Sequence, residues 1–371
     1  MTDERAAYVA LALIPGLSHA RLSRLLEACD TPLGAISAPF AFLGTVPGIS
    51  RAAATAIAAA TPDDGRRALD AAGRLGARVL VPADPDFPEA LRTIPEPPLV
   101  LFALGDLALL GRPLAGIVGS RDPSPYGVST CRAIAGTAAR AGVGVVSGMA
   151  RGLDAVAHEA ALDAGGATVG VLGNGLGVIY PAANRALYAR VAAEGLLLTE
   201  HPPGERPQTW NFPRRNRLVS GLARATVVVE AAESSGTLIT VSAALEQGRD
   251  VLAVPGPITS PTSAGTNRLI RDGAAPYLEP DDLLRLYPEA ALPAPPATGA
   301  AAQPGREPAS LPPDIGEEAR RVAALVEATG THVDVLASRA GRTVSDVLGS
   351  LLALELAGVV VQAPGAIFRR L

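Results

Sequence analysis

Ile117-Val118-Gly119-Ser120-Arg121 is the stretch that decides the fold: an apolar strand running into a tight Gly-Ser-Arg turn. Four more apolar runs share this design, Val143–Val146, Thr168–Leu172, Ala225–Val229 and Val251–Val254. They end in Ser147-Gly148, Gly173-Asn174-Gly175, Ser234-Ser235-Gly236-Thr237 and Pro255-Gly256. Helix-length segments separate the runs. Strand, small-residue turn and helix, repeated in one direction, predict an α/β fold: a Rossmann-like, doubly wound, mostly parallel sheet. Such sheets bind ligands outside the carboxyl ends of their strands, where these turns collect.

Composition narrows the ligand. The 371 residues have a formal net charge of -4, so the chain as a whole is no basic polyanion binder, and any anion site is local. No lysine occurs, so every strong cation is an arginine, a planar fork that keeps its charge. Cys29 and Cys131 stand far apart, outside any metal-ligand pattern, and read as buried free thiols of a reducing compartment. The charged start Met1-Thr2-Asp3-Glu4-Arg5 lacks a signal-peptide pattern, and no apolar run is long enough to span a bilayer. These features predict a cytoplasmic protein with no membrane partner.

Four segments follow from the pattern. Residues 1–64 read as a helical domain of sterile-alpha-motif or helix-hairpin-helix type, with Pro15-Gly16-Leu17-Ser18 echoed by Pro47-Gly48-Ile49-Ser50. Backbone N–H groups at such turns can meet DNA phosphates, and a purely structural bundle fits the same signal. Residues 65–287 form the sheet domain, with Arg78–Val81 and Leu99–Ala103 as a first α/β unit leading into it. Residues 288–313, rich in Ala, Pro and Gly, read as a linker. In 314–371, three helical segments precede a hairpin around Ala363-Pro364-Gly365, which is a winged-helix pattern. Its third helix, Ser345–Leu356, carries Asp346 and Glu355 and no arginine, which favours a structural or protein-binding wing over a duplex reader.

The site is read from turns and cations. Arg121 follows Gly119-Ser120 ahead of a helix N-terminus, a setting for phosphate, though a structural ion pair fits the turn equally well. Ser147-Gly148 with Arg151, then Gly173-Asn174, lie at the next two strand ends. Phe212-Pro213-Arg214-Arg215-Asn216-Arg217 lies on the path that must cross this edge, and Ser235-Gly236-Thr237 can cap a helix there. Their convergence predicts an anion pocket. Neither a dinucleotide fingerprint nor a P-loop is present, no metal-ligand set is found, and no cofactor is expected. His158 reads as a packing residue. Glu200 and Glu230 stand at strand ends with no nucleophile beside them, and pairing with the arginines is open to both.

Taken together, Val118-Gly119-Ser120-Arg121, Val146-Ser147-Gly148-Met149-Ala150-Arg151-Gly152-Leu153-Asp154, Ala157-His158, Tyr180-Pro181, Asn184, Phe212–Arg217, Ser235-Gly236-Thr237 and Ala253-Val254-Pro255-Gly256 resemble the DNA-processing protein A (DprA/Smf) family. The resemblance implies a single-stranded DNA binder rather than an enzyme. It implies loading of the RecA recombinase during natural transformation, displacement of single-strand-binding protein, and a homodimer formed through the Rossmann-like domain. By motif match, Arg121 would hold backbone phosphate, with Ser147, Gly148, Arg151 and Asn174 lining the pocket. Phe212 would stack a base, and Arg215 and Arg217 would support the site.

Two departures stand out. Thr209 and Trp210 occupy a place where some relatives carry lysine, which loses charge and offers Trp210 as a second stacking ring. Gly175-Leu176-Gly177 lacks an acid found in many relatives. A competing reading is a nucleotide-processing enzyme of the phosphoribohydrolase type, with Glu230 as its acid and Ser235-Gly236-Thr237 as a partial phosphate turn. Thr259–Leu286, unclaimed by the pocket, is the expected dimer segment.

Overall fold

The structure, a computed structural model, describes residues 2–290, 316–326, 331–357, 359–363 and 367–370. Most of the expected linker, from 291 on, and the hairpin tip at Pro364-Gly365 lie outside the described residues. By internal contacts the chain divides into two compact units, Met1–Pro293 and Ala294–Leu371.

The first unit is built on a nine-stranded sheet in the order β1-β2-β6-β5-β4-β3-β7-β8-β9. The strands are β1 (Arg78–Leu80), β2 (Leu101–Gly105), β3 (Leu114–Val118), β4 (Gly144–Ser147), β5 (Thr168–Val171), β6 (Leu196–Thr199), β7 (Ala225–Val228), β8 (Asp250–Ala253) and β9 (Ala275–Pro276). From β6 across to β9 every pairing is parallel. The winding starts at β3, moves outward through β4 to β6, then returns to lay β7 on the other side of β3. The seam between β3 and β7 is therefore the topological switch point.

Alternation along each strand explains the two helical layers. On β3, Ala115 and Ile117 face the cluster with Ile134, Leu153 and Ala157, from the helices Pro125–Arg140 and Leu153–Asp163. Leu114 and Val118 face the opposite cluster, with Leu218, Leu222 and Val241 from the helices Asn211–Leu222 and Thr237–Glu246. A period of two with both faces apolar is what a strand buried on both sides requires. At the amino end of the seam, the buried Tyr287 hydroxyl donates to the Leu114 carbonyl at 2.8 Å and accepts the Ala225 N–H at 3.0 Å.

Arg78–Val81 and Leu99–Ala103 lead into the sheet as its edge: β1 and β2 pair antiparallel, and β2 is antiparallel to β6. One expectation changes: a boundary at 64/65 does not separate the N-terminal helices, because it falls inside the helix Pro62–Arg74. Val9 of the helix Asp3–Ala12 shares a core with Ala68, Phe102 and Leu197. Cys131 is buried as read from the sequence, whereas Cys29 is only half-buried.

In the second unit, helices Glu317–Leu325, Val333–Ala340 and Val344–Leu356 pack through Val322, Leu336, Leu351 and Leu354. Thr343 accepts the Asp346 N–H at 3.3 Å and caps the third helix. The hairpin Val360–Ala363 and Ile367–Arg370 gains a short third strand, Thr331–His332, which has no clear signal in the sequence. This is a winged helix.

The N-terminal helix is fastened to the sheet by Arg5. Its guanidinium donates to both Asp84 carboxylate oxygens, at 2.7 and 2.8 Å, and to the Val79 carbonyl at 2.7 Å. The hydrogen bond from Arg5 holds the Asp84 carboxyl below its ordinary range. A depressed folded-state pKa contributes stability above the unfolded-state value and loses it as the pH falls through the folded-state value. Asp84→Asn is therefore expected to cost about 1–2 kcal/mol at neutral pH. Urea midpoints of the two proteins should converge well below the carboxylate range.

Candidate anion crevice at the switch point

The carboxyl ends of β3, β4 and β5 open into two adjoining crevices of about 250 and 320 Å³. Arg121, Gly148, Ala150, Phe212 and Arg215 line both. The turn that carries Arg121 is clamped from below. Leu153 N–H donates to the Ser120 carbonyl at 3.0 Å, and the Gly152 backbone lies directly on Ser120 and Arg121. A Cβ at Gly152 would stand 2.4 Å from the Ser120 oxygen, and its φ of 79° is one that only glycine adopts freely. The Ser120 hydroxyl accepts the Asp122 N–H at 3.1 Å and completes the turn. Arg121 is exposed and, among the described residues, has no carboxylate within ion-pair distance.

Arg215 is its opposite. It is buried, and its Nη1 donates to the carbonyls of Gly148 and Val171, at the ends of β4 and β5. Nε donates to Asn216 Oδ1 at 3.2 Å. The nearby buried carboxyl of Asp154 accepts the Ala150 N–H at 3.3 Å. Gly148 leaves the space in which Arg215 and Asp154 face each other: its Cβ would lie 2.5 Å from Arg215 Nη2 and 2.7 Å from Asp154 Oδ2. Burial pushes the Asp154 carboxyl up and the Arg215 guanidinium down to about 10, and each is opposed by the partner's charge. Arg121 also lowers the Arg215 pKa by like-charge repulsion, so the two cations share one field.

An aromatic wall completes the edge. Phe212 lies over Gly173 and meets Tyr180, with ring centroids 5.4 Å apart at 38°. Tyr180 is half exposed. Tyr180 stands in the family motif with no role attached to it there; its place across the ring from Phe212 depends on folding and has no local signal.

The other predicted residues divide. Thr237 Oγ1 donates to the Gly119 carbonyl at 3.1 Å, and Ser235 Oγ accepts the Thr237 N–H at 3.2 Å, so Ser235-Gly236-Thr237 ties its helix to the β3 turn. Ser147 is fully buried, donates to the Ile117 carbonyl at 2.6 Å and lines neither crevice. Asn174 is buried and spends its amide on the Gly175 and Val178 carbonyls, shaping the loop. Arg151 pairs at 3.0 Å with Asp122, and both are exposed, a weak pair that a phosphate could replace.

Trp210, Arg214 and Arg217 leave this edge altogether. The Phe212–Arg217 block is no crossing loop but the first turns of the helix Asn211–Leu222. Phe212, Arg215 and Asn216 face the switch point, whereas Trp210, Arg214 and Arg217 face another crevice. There Arg217 pairs with Glu200 at 2.6 Å. Glu230 is buried, and its carboxylate accepts the Ser124 N–H at 3.0 Å and hydroxyl bonds from Ser124 and Thr262. It serves the N-terminus of the helix Pro125–Arg140. His158 is fully buried against Thr168 Oγ1 at 2.7 Å, and desolvation lowers its pKa to about 3. Among the described residues no group of side chains could hold a metal ion.

A doubly wound sheet with an arginine-floored, aromatic-walled crevice at its switch point defines a Rossmann-like protein with a candidate anion site. Comparison with known proteins gives the family. Residues 78–288 match the model described as DNA recombination-mediator protein A, and residues 292–366 match the DprA winged helix domain. The chain is 41% identical over 299 residues to Protein Smf of Escherichia coli K12, covering 78% of this chain and 77% of that protein. It is 42% identical over 225 residues to DNA processing protein DprA of Bacillus subtilis, covering 60% and 75%. The crystal structure of DNA processing protein A from Streptococcus pneumoniae superposes with a TM-score of 0.66 at 31% identity, covering 77% of this chain and 98% of that one. That of the Helicobacter pylori protein, described for its single-stranded DNA binding mode, gives 0.52 at 29% identity, covering 56% and 94%. The chain belongs to the DNA-processing protein A family.

The two buried charges and the free arginine make different predictions. Asp154→Ala removes the carboxylate that opposes the burial of Arg215 and leaves the Ala150 N–H without its acceptor, and is expected to cost about 1–3 kcal/mol. Gly148→Ala, which presses on the same pair, should cost about 1–3 kcal/mol. Arg121→Ala should stay within about 0.5 kcal/mol of the parent in the same denaturant series.

Proposed function

We propose that the protein binds single-stranded DNA at the switch-point crevice and acts there as a recombination mediator without chemistry of its own. The observation that carries this reading is Arg121, exposed and without an ion pair among the described residues, sharing a field with the buried Arg215. Two neighbouring cations that cannot shed their charge favour an anion between or above them. Phe212 and Tyr180 supply the ring faces on which a base can stack whatever its sequence. The Helicobacter pylori relative, named for its single-stranded DNA binding mode, supports the same ligand. In this reading Gly148 and Gly173 make room for Arg215 and Phe212, Arg121 on the Gly119-Ser120 turn holds phosphate, and Arg151 exchanges Asp122 for a second phosphate.

The family resemblance supports the finer part of the reading: loading of RecA onto incoming strands during transformation, beside or in place of single-strand-binding protein. A homodimer through the sheet domain belongs to it. The sheet ends at β9, and Leu278, just beyond it in the segment Thr259–Leu286, is 71% exposed. An apolar side chain beside an open edge suits burial against a second copy.

Arg121→Ala is expected to weaken oligo(dT) binding by about tenfold or more. The slope of log K against log salt should fall by about 0.7 for the lost phosphate contact. Filter binding across a salt series checks both, and an unchanged affinity sinks the assignment. Leu278→Glu should convert a dimer to monomer in sedimentation; an unshifted profile would move the dimer face elsewhere.

A further inference from the structure

The helix Asn211–Leu222 serves two crevices, and the reading above uses only one. Trp210 and Arg214 are a helical turn apart, with Arg217 another turn along the same stripe. They look into a crevice of about 360 Å³, within the range of small-molecule sites. Its opposite wall is the hairpin Pro15-Gly16-Leu17-Ser18 of the N-terminal helices. This packing lies wholly within the first compact unit.

The lining is built for a ligand with a flat face and a mixed edge. Trp210 is 70% exposed and, among the described residues, packs on no other ring or cation. Arg214 is exposed and, among the described residues, has no acid within ion-pair distance. At the floor, Arg217 donates Nη2 to Glu200, while its Nε and Nη1 are buried without an acceptor. A guanidinium that cannot deprotonate carries such orphan donors at a cost. Glu96, Glu200 and Glu205 line the same space, so its charge is mixed. Phosphate alone is poorly served by that mixture. A nucleobase is well served: its face stacks on indole, and its edge carries donors and acceptors side by side. Guanine, with O6 and N7 as acceptors and N1 and N2 as donors, matches an arginine beside a carboxylate.

We propose that this crevice is a nucleobase-binding subsite. Trp210 stacks the base, Arg217 and Glu200 meet its edge, and Arg214 takes the adjoining phosphate. Extending the single-strand reading, the base belongs to a strand that passes from Phe212 to Trp210 over the helix N-terminus. An α-helix with its side chains is about 10–12 Å across, a step of a few nucleotides at most.

Trp210 is the chain's one tryptophan, so its fluorescence reports this crevice alone. The full chain is titrated with an oligo(dT) strand containing guanines, and separately with guanosine monophosphate, while filter binding follows the strand independently. The expected result is a several-fold loss of tryptophan emission that tracks strand binding. Quenching by the strand alone assigns the base to the polymer; quenching by the mononucleotide as well assigns a pocket that also takes free nucleotides. Strand binding on the filter with unchanged emission overturns the subsite and leaves the switch-point reading standing. Loss of filter binding with quenching by the mononucleotide does the reverse. Arg214→Ala, at an exposed position, should shift the quenching midpoint several-fold upward with an unchanged melting temperature; an unmoved midpoint overturns the phosphate role of Arg214.

Discussion

The buried guanidinium of Arg215, with the buried carboxyl of Asp154 nearby, is the constraint on which the site depends. Arg215 comes from the helix that crosses the carboxyl edge, Asp154 from the first turn of the helix Leu153–Asp163. The guanidinium bonds the carbonyls of Gly148, just past β4, and of Val171, the last residue of β5. One side chain therefore sets two strand ends and two helices relative to one another. Burying the two charges costs desolvation that their attraction, at more than ion-pair distance, offsets only in part. Its benefit here is position: Phe212, three residues before Arg215, and Arg121, on the turn clamped by Gly152, acquire fixed places at one opening.

That arrangement separates two kinds of arginine that look identical in the chain. Buried cations at this edge act on the protein, holding carbonyls and setting a field. Exposed ones keep their donors free toward solvent. Arg215 belongs to the first kind and Arg121 to the second. Arg151 stands between them, with an acid partner but one held only at the surface.

Much of this architecture is legible in the amino-acid sequence. The strands β3, β4, β5, β7 and β8 announce themselves through β-branched runs ending in small residues, and the Thr343 cap and the final hairpin mark the winged helix. The parts that are not legible have weak local chemistry. Leu196–Thr199 is a leucine run that suits a helix as well as a strand, and only Gly195 marks its start. The two residues of β9 carry no strand signal at all. Pro213 conceals a helix, although proline is tolerated in a first turn. With that helix hidden, the arginines at 214, 215 and 217 read as converging on one point, when a helical period must send them to different faces. The exposure of Arg121 and the burial of Arg215 are tertiary facts that no window of sequence contains.

The phenol of Tyr287 gives the seam between β3 and β7 an asymmetry. One end of the seam is pinned by a side chain that bridges both strands, while the other end is finished by turns that face solvent. At that end Thr237 Oγ1 on the Gly119 carbonyl ties the two turns to each other. The seam is thus riveted at both ends, and any adjustment at its rim falls to exposed side chains such as Arg121, while the turns and the strand register stay in step.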